Sequence, residues 1–346
     1  MNKKILIIST LAIIAIGMVG WFGYTRFFQG EKSRPSPASY QGKIVIGTET
    51  WPGYLPLYVA RDKGYFREAG LDVEIKRYIA LGELSKDYVA GKIQGRANLT
   101  LDAINESLNG LDHKVILAID YSNGSDAIVA RQGIKNIPDL KGRRVAYEVG
   151  TLEEFFVAWA LGENNLSLSD IVPVPGNPEE SIKNLIEGKA DAAVSHEPFL
   201  SQLIAKNGGV HTLYSSANAP GLITDILTFH SDFIEANPET ILKIIRAYFK
   251  ALRFWRDNSE EANAVIAKEF GDTKESIAEQ LKGITMLNER DNKTAFTFTQ
   301  GLGSLYGNMK MINEFIMEHR KDEQKKVIDT DELIEPRFLR AVLKEK

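Results

Sequence analysis

At 346 residues, with 44% apolar residues, 25% charged residues and a net charge of −4, the chain has the composition of an ordinary globular protein of about two domains. The acidic balance, with no basic stripe, argues against nucleic acid as a partner. The absence of cysteine excludes disulfides, thiolate metal sites, thiol nucleophiles and a lipidated-cysteine tether.

The N-terminus opens with Lys3 and Lys4, followed by an apolar run from Ile5 to Tyr24 and then Arg26. About 20 helical residues at a rise of about 1.5 Å each span roughly 30 Å, the thickness of a bilayer's hydrocarbon core. The flanking lysines orient such a segment with everything after Arg26 outside the cytoplasm. A cleavable signal peptide is the competing reading, but its apolar region is shorter, about 7–15 residues, and is followed promptly by a small-x-small site. Here the nearest such pattern, Ser36-Pro37-Ala38, lies well beyond the run. Residues 1–28 are therefore expected to be an uncleaved signal anchor with its membrane contact through 5–24, and 29–42, rich in serine and proline, a linker.

From Lys43 onward, short β-branched runs alternate with helical stretches, the pattern of a mostly parallel sheet with helices on its faces. Strands are expected at 43–48, 72–77, 95–100, 115–121, 126–131, 143–148, 171–174, 190–194, 210–214 and 223–229. After the first of these comes Glu49-Thr50-Trp51-Pro52-Gly53-Tyr54, a strand-to-helix loop of the kind that presents ligands beyond the carboxyl ends of an open α/β sheet. Beyond about 236 the pattern turns almost wholly helical. Asn237 is the expected N-cap, Pro238 the first helical residue and Glu239 a favourable charge near the dipole's positive end. Ile241, Leu242, Ile244, Ile245, Tyr248, Phe249, Leu252 and Trp255 then form an apolar stripe, and Trp255 is expected in the core. The charged run from Glu318 to Lys326 reads as a solvated helix face and connector.

Several runs together carry a family resemblance. Leu57 to Ile75 (LYVARDKGYFREAGLDVEI), Asp120 to Asp126 (DYSNGSD), Asp139 to Val145 (DLKGRRV), Glu148-Val149-Gly150-Thr151, and Gly188 to Val194 with His196-Glu197-Pro198 occur in order. They resemble the substrate-binding proteins of nitrate/sulfonate/taurine-type ABC transporters and are also similar to thiamine-precursor-binding proteins. The resemblance departs at position 196, where tryptophan is more usual than histidine. It implies an α/β, type II periplasmic-binding-protein fold with two lobes and a ligand cleft: 43–121 and 228–346 in lobe one, and 122–227 in lobe two including hinge crossings near 122–125 and 223–227. Closure would be a hinge motion, with Gly124 and Gly221 placed to absorb it. The implied role is the extracytoplasmic solute-binding component of an ABC importer, with permease and ATPase subunits as partners, at the periplasmic or extracellular face of the cytoplasmic membrane. A membrane-anchored sensing domain acting through a separate signalling protein is the alternative.

On that fold the cleft receives Glu49, Trp51, Tyr54, Thr100, Asp102, Asp120, Ser122, Asp126, Glu148, Gly150, Thr151, Glu197 and Asp225. A nitrate or sulfonate pocket should offer donors and helix N-termini rather than uncompensated carboxylates. Thr151-x-x-Glu154 reads as a capping box that occupies its own helix end. The acidic excess instead suits an amine, an aminopyrimidine or a taurine-like zwitterion over an aromatic floor of Trp51 and Tyr54, with a sulfonate retained as the family's other class. The competing reading pairs Asp126 and Glu148 with Arg131, Arg143 or Arg144. Histidines 113, 196, 211, 230 and 319 show no metal-ligand spacing, and no G-x-S-x-G or phosphate-loop motif occurs. The related pyrimidine synthases of thiamine biosynthesis carry a cysteine-rich motif that this chain lacks. No catalytic residue, metal or cofactor is therefore expected.

Overall fold

The protein's structure, a computed structural model, describes residues 40–79, 81–201, 209–319 and 328–344. They belong to one compact unit, Ser39–Lys346. The expected anchor at 5–24, the linker up to residue 39 and residues 320–326 of the charged run lie outside the described residues. Among the described residues no helix is long and apolar enough to cross a membrane.

Alternating apolar residues build the strands: Ile44 and Ile46 are fully buried on one face of the first, as a period of two requires. One sheet contains β1 (Lys43–Thr48), β2 (Asp72–Arg77), β3 (Gly95–Leu99), β4 (His113–Ser122), β10 (Thr224–His230) and β11 (Ile284–Met286), in the order β11-β4-β10-β3-β1-β2. The other contains β5 (Asp126–Arg131), β6 (Arg144–Tyr147), β7 (Val172–Pro175), β8 (Ala192–His196) and β9 (Val210–Ser215), in the order β7-β6-β8-β5-β9.

Both sheets are mixed, which corrects the mostly parallel expectation. β1 runs parallel to β2 and β3, but β10 is antiparallel to β3 and β4, and β5 is antiparallel to β8 and β9. The reason is topological: β5 and β10 are the strands by which the chain enters one sheet from the other, so they run against the strands built by helical crossovers. The short edge strand β11 falls in a stretch read as helical, because three residues are too few to show a period.

The longer helices follow the same logic of burial. In α1 (Leu55–Asp62), α2 (Thr100–Leu108), α3 (Leu152–Gly162), α4 (Pro238–Asp257), α5 (Ser259–Phe270) and α7 (Leu305–His319) one face is largely apolar and covered, whereas α6 (Glu289–Ala295) buries Asn292 and Ala295. On α4, Ile241, Ile244, Ile245, Tyr248 and Phe249 are all buried, contributing about 1.5–3 kcal/mol per large side chain. Pro238 does stand at its first turn, but Asn237 makes no side-chain cap there. Its amide donates instead to Phe233 O of the preceding turn, at 3.0 Å. Trp255 packs against the core with its indole N–H on Asn263 Oδ1 at 2.9 Å.

Two segments join the sheets. The outgoing one, Asn123–Ser125, hangs its Asn123 and Ser125 N–H groups on Gly283 O at 2.8 and 3.2 Å. The returning one occupies 216–223 rather than the expected 223–227, because β10 is already paired with β4 from Thr224. One buried hydroxyl stitches the two: Ser216 Oγ accepts from Gly124 N–H and bonds Ser122 Oγ, both at 2.7 Å. Gly221 lies in the left-handed region (φ +85°), and a Cβ there would approach Leu302 O to 2.8 Å, so both conformation and space demand glycine. Asn308 of α7 holds this turn by donating to Gly221 O and Leu222 O at 2.8 and 3.0 Å.

Asn292 of α6 acts as a substitute strand partner for β4, accepting from Ala118 N–H at 3.0 Å and donating to Ala118 O at 2.9 Å. Asn292→Ala is expected to cost about 1–3 kcal/mol for each backbone group left buried and unpaired. Chemical denaturation measures it, and a loss below about 0.5 kcal/mol would refute this role.

Candidate functional site

The carboxyl ends of β1, β3, β4, β6 and β8 and the starts of β5 and β10 meet on one side of both sheets, where open α/β sheets hold ligands. The first half of the site is acidic at its base. Asp120 on β4 and Asp225 on β10 are direct cross-strand partners, with 0% and 2% of their surfaces exposed. Trp51 Nε1–H reaches both oxygens of Asp120, at 3.3 and 3.4 Å. The Tyr54 hydroxyl donates to Asp225 Oδ1 at 2.5 Å and is 3.5 Å from Glu49 Oε1.

The local sequence explains this convergence. Pro52 starts a 3-10 turn that runs directly into α1, which drops Trp51 and Tyr54 onto the ends of β4 and β10. Gly53 makes room for it: a Cβ at that position would overlap Asp120 Oδ2 and sit 2.5 Å from Trp51 Nε1.

Burial dominates the electrostatics of these acids. It pushes Asp120 up to about 8, with the charge of Asp126 adding and the Trp51 bond opposing. Asp225 is raised well above the usual carboxylate range by burial and then by Asp120. Glu49 rises to about 7 through burial and Asp102, against the opposing pull of Arg96 and His196.

The second half is better compensated. Asp126, at the start of β5, faces His196 across the strand pair with β8, and is raised by burial to about 6 while His196 draws it down. Burial works against a charge on His196, but Asp126 and Glu153 outweigh it and hold its pKa above the ordinary value. The Oδ2 atom of Asp126 is buried without a hydrogen-bond partner.

Arg96 of β3, in the first sheet, is 2% exposed. It donates to Asp102 Oδ2 and Ser85 Oγ, both at 3.1 Å, and pairs with Glu106. Asp102 and Glu106 stand one turn apart on α2, so one guanidinium serves both. Even so, burial raises Asp102, and it takes Glu106 to about 7.

Hydrogen bonds thus join Glu49, Tyr54 and Asp225, and Trp51 to Asp120, while Asp102 acts on Glu49 and Asp126 on Asp120 and Asp225 through charge. Thr100 is buried at the first turn of α2, and Ser122 belongs to the crossing. Glu148, Gly150 and Thr151 form the loop into α3, and Glu197 turns to Ser201, accepting from its N–H at 3.2 Å and its hydroxyl at 2.7 Å. The capping box at Thr151 does not form. Its hydroxyl donates to Glu148 O at 2.8 Å and to Glu153, while Glu154 accepts from Gly150 N–H at 2.7 Å, one residue too early. Of the three arginines named as possible partners, Arg131 bonds Leu185 O and Arg144 bonds Asp191, and Arg143 is exposed. Nor is Tyr54 an open aromatic floor, since it is fully buried and presents its hydroxyl to Asp225.

Arg96 and Glu153, whose charges act on the site's acids and on His196, are not evident from the sequence. Arg96 and Asn98 alternate on one face of β3, and a charged residue inside a short strand was the available signal; its partner Glu106 is visible only in three dimensions. Among the described residues no group of histidine, aspartate and glutamate is arranged to hold a metal ion.

Two outcomes follow from this geometry. Gly53→Ala is expected to displace Trp51 from Asp120 and cost about 1–3 kcal/mol; an unchanged melting temperature and unchanged tryptophan fluorescence would contradict it. Acids whose folded-state pKa is raised add stability at low pH and withdraw it as pH rises through the folded value. With Asp126 at about 6, Glu49 at about 7 and Asp120 at about 8, their contribution should be fully present below about pH 4, where the unfolded groups begin to ionise, and lost by about pH 8. Asp120→Asn should flatten the melting-temperature profile over that window, and an identical profile in the variant would count against the assignment.

Residues 51–262, more than half of the chain, match the family described as NMT1/THI5 like. A Brucella abortus protein named as a binding protein is 24% identical over 219 residues, 61% of this chain and 66% of the relative's length. The 4-amino-5-hydroxymethyl-2-methylpyrimidine phosphate synthase of Saccharomyces cerevisiae is 23% identical over 222 residues, 60% of this chain and 65% of that enzyme. The crystal structure of the periplasmic aliphatic sulphonate binding protein SsuA from Escherichia coli superposes with a TM-score of 0.71 at 18% identity, covering 87% of this chain and 99% of SsuA. The chain therefore belongs to the NMT1/THI5-like family and has the α/β fold of the periplasmic binding proteins.

Proposed function

We propose that this protein is the extracytoplasmic solute-binding component of an ABC importer, and that its two lobes close around a small organic nitrogen compound carrying a positive charge. Membership of a family that includes binding proteins supports the solute-binding role, and the basic-then-apolar N-terminus supports a place at the outer face of the cytoplasmic membrane. Delivery to a permease belongs to the same reading. The protein acts without chemistry on its ligand: what the site supplies is binding, through Glu49, Asp120, Asp126 and Asp225, with Trp51 and Tyr54 orienting two of those acids.

The observation that carries the choice of ligand is the state of these acids. Among the described residues Asp120, Asp126 and Asp225 form no ion pair with lysine or arginine, although each is at least nine-tenths buried. A buried carboxylate without a cation is costly, and an ammonium, amidinium or protonated aminopyrimidine provides the missing charge and donors. A sulfonate or nitrate placed there would add a further negative charge to the same enclosed space.

A thermal-shift screen against amines, amidines, aminopyrimidines, sulfonates and nitrate tests this. A ligand at 100 times its dissociation constant stabilises by about 2.7 kcal/mol. The cationic compounds are expected to raise the melting temperature, and Trp51→Ala to reduce the effect. Stabilisation by sulfonates or nitrate alone would overturn the proposed ligand class.

A further inference from the structure

We propose that the ligand's cationic nitrogen binds in exchange for a proton: Asp120 and Asp225 share one proton in the empty site, and an ammonium or amidinium group expels it to solvent on settling between that pair and Asp126. The inference rests on the cation-binding reading above and adds a stoichiometry to it.

The geometry of strand pairing carries the argument. Asp225 stands opposite Asp120, and β10 is held on its other side by β3, where Asp225 faces Leu99. Ladders on both flanks hold the two backbones opposite each other, next to a ladder irregularity between Asp225 and Ile226. Like charges directly opposite in an antiparallel pair repel, and two carboxylates sharing one buried site do not both ionise.

No neighbouring group described here relieves this repulsion. Trp51 and Tyr54 each give a neutral donor to one carboxyl, which orients it without offsetting its charge. Glu49, on the loop after β1, adds negative potential. From α4, Tyr248 directs its hydroxyl to Ile119 O at 3.3 Å; on the β11 side Met286 is opposite Asp120. From the second sheet comes Asp126, whose own cross-strand partner is His196. Arg96 is committed to Asp102 and Glu106.

Asp126 Oδ2 is the independent sign that a ligand group belongs here. It is a buried acceptor on a side chain 5% exposed, it has no partner, and its charge acts on both Asp120 and Asp225. A primary ammonium has three N–H donors and an amidinium a planar set, enough to bond both members of the pair and Asp126 together. Where the pair holds one proton the exchange balances: the pair enters with charge −1, the cation adds +1, the proton leaves to buffer, and two carboxylates remain against the cation.

Calorimetric titration of the full-length protein with 1,4-diaminobutane and with benzamidine, in buffers of different ionisation enthalpy, tests the exchange. About one proton should be released per ligand bound, and affinity should rise about tenfold per pH unit below the pair's titration. Asp225→Asn should abolish the release. Infrared spectroscopy of the ligand-free protein at neutral pH should show a carboxylic-acid C=O band that Asp225→Asn removes. Binding without proton release overturns the exchange and leaves the cation-binding function standing. Failure of either cation to bind overturns both, and absence of the infrared band overturns the exchange whatever the ligand.

Discussion

Most of this molecule's particular chemistry depends on the cost of placing carboxylates out of water at the ends of paired strands. Two crossover strands, β5 and β10, each carry an aspartate near their first residue, and each aspartate meets a cross-strand neighbour. For Asp126 the neighbour is His196, which can take a proton and answer its charge. For Asp225 it is Asp120, which cannot. Desolvation makes the second arrangement unfavourable in the empty state, and the proposed preference for a cation rests on that cost.

The same crossing strands explain the architecture. Because β5 and β10 run against their neighbours, each sheet is mixed, and both crossing segments meet at one place. There Ser216 ties Gly124 to Ser122, and Gly283 and Asn308 hold the segments from the side. The acids lie a few residues from these junctions along the chain, so any change in the angle between the sheets alters the distance between Asp126 and the Asp120–Asp225 pair. In the proposed cation-binding role, binding and closure would be linked through the Coulomb interaction of the ligand with acids from both sides.

Arg96 adds a contrast within one site. A single guanidinium, itself almost wholly buried, compensates Asp102 and Glu106 on successive turns of α2. Its charge also acts on Glu49, but it forms no ion pair with Asp120 or Asp225. On the proposed reading, the acids paired with Arg96 are neutralised within the protein, and those at the base are left for a ligand.

The sequence alone determined the strands with a clear two-residue period, the amphipathic stripe of α4, and the family and its fold; it also pointed to Glu49, Trp51, Tyr54, Asp126 and Asp225 as residues at the ends of strands. These features are local: they follow from periodicity, turn residues and short motifs. Tertiary structure decided the rest. It set Asp225 opposite Asp120, gave Arg96 to Glu106 and Asp102, turned Glu197 toward Ser201, dissolved the capping box at Thr151 and put three residues near 285 onto a sheet edge. Each depends on register between strands distant in the chain or on competition among partners for one donor, and a one-residue shift in register would send those side chains to the opposite face.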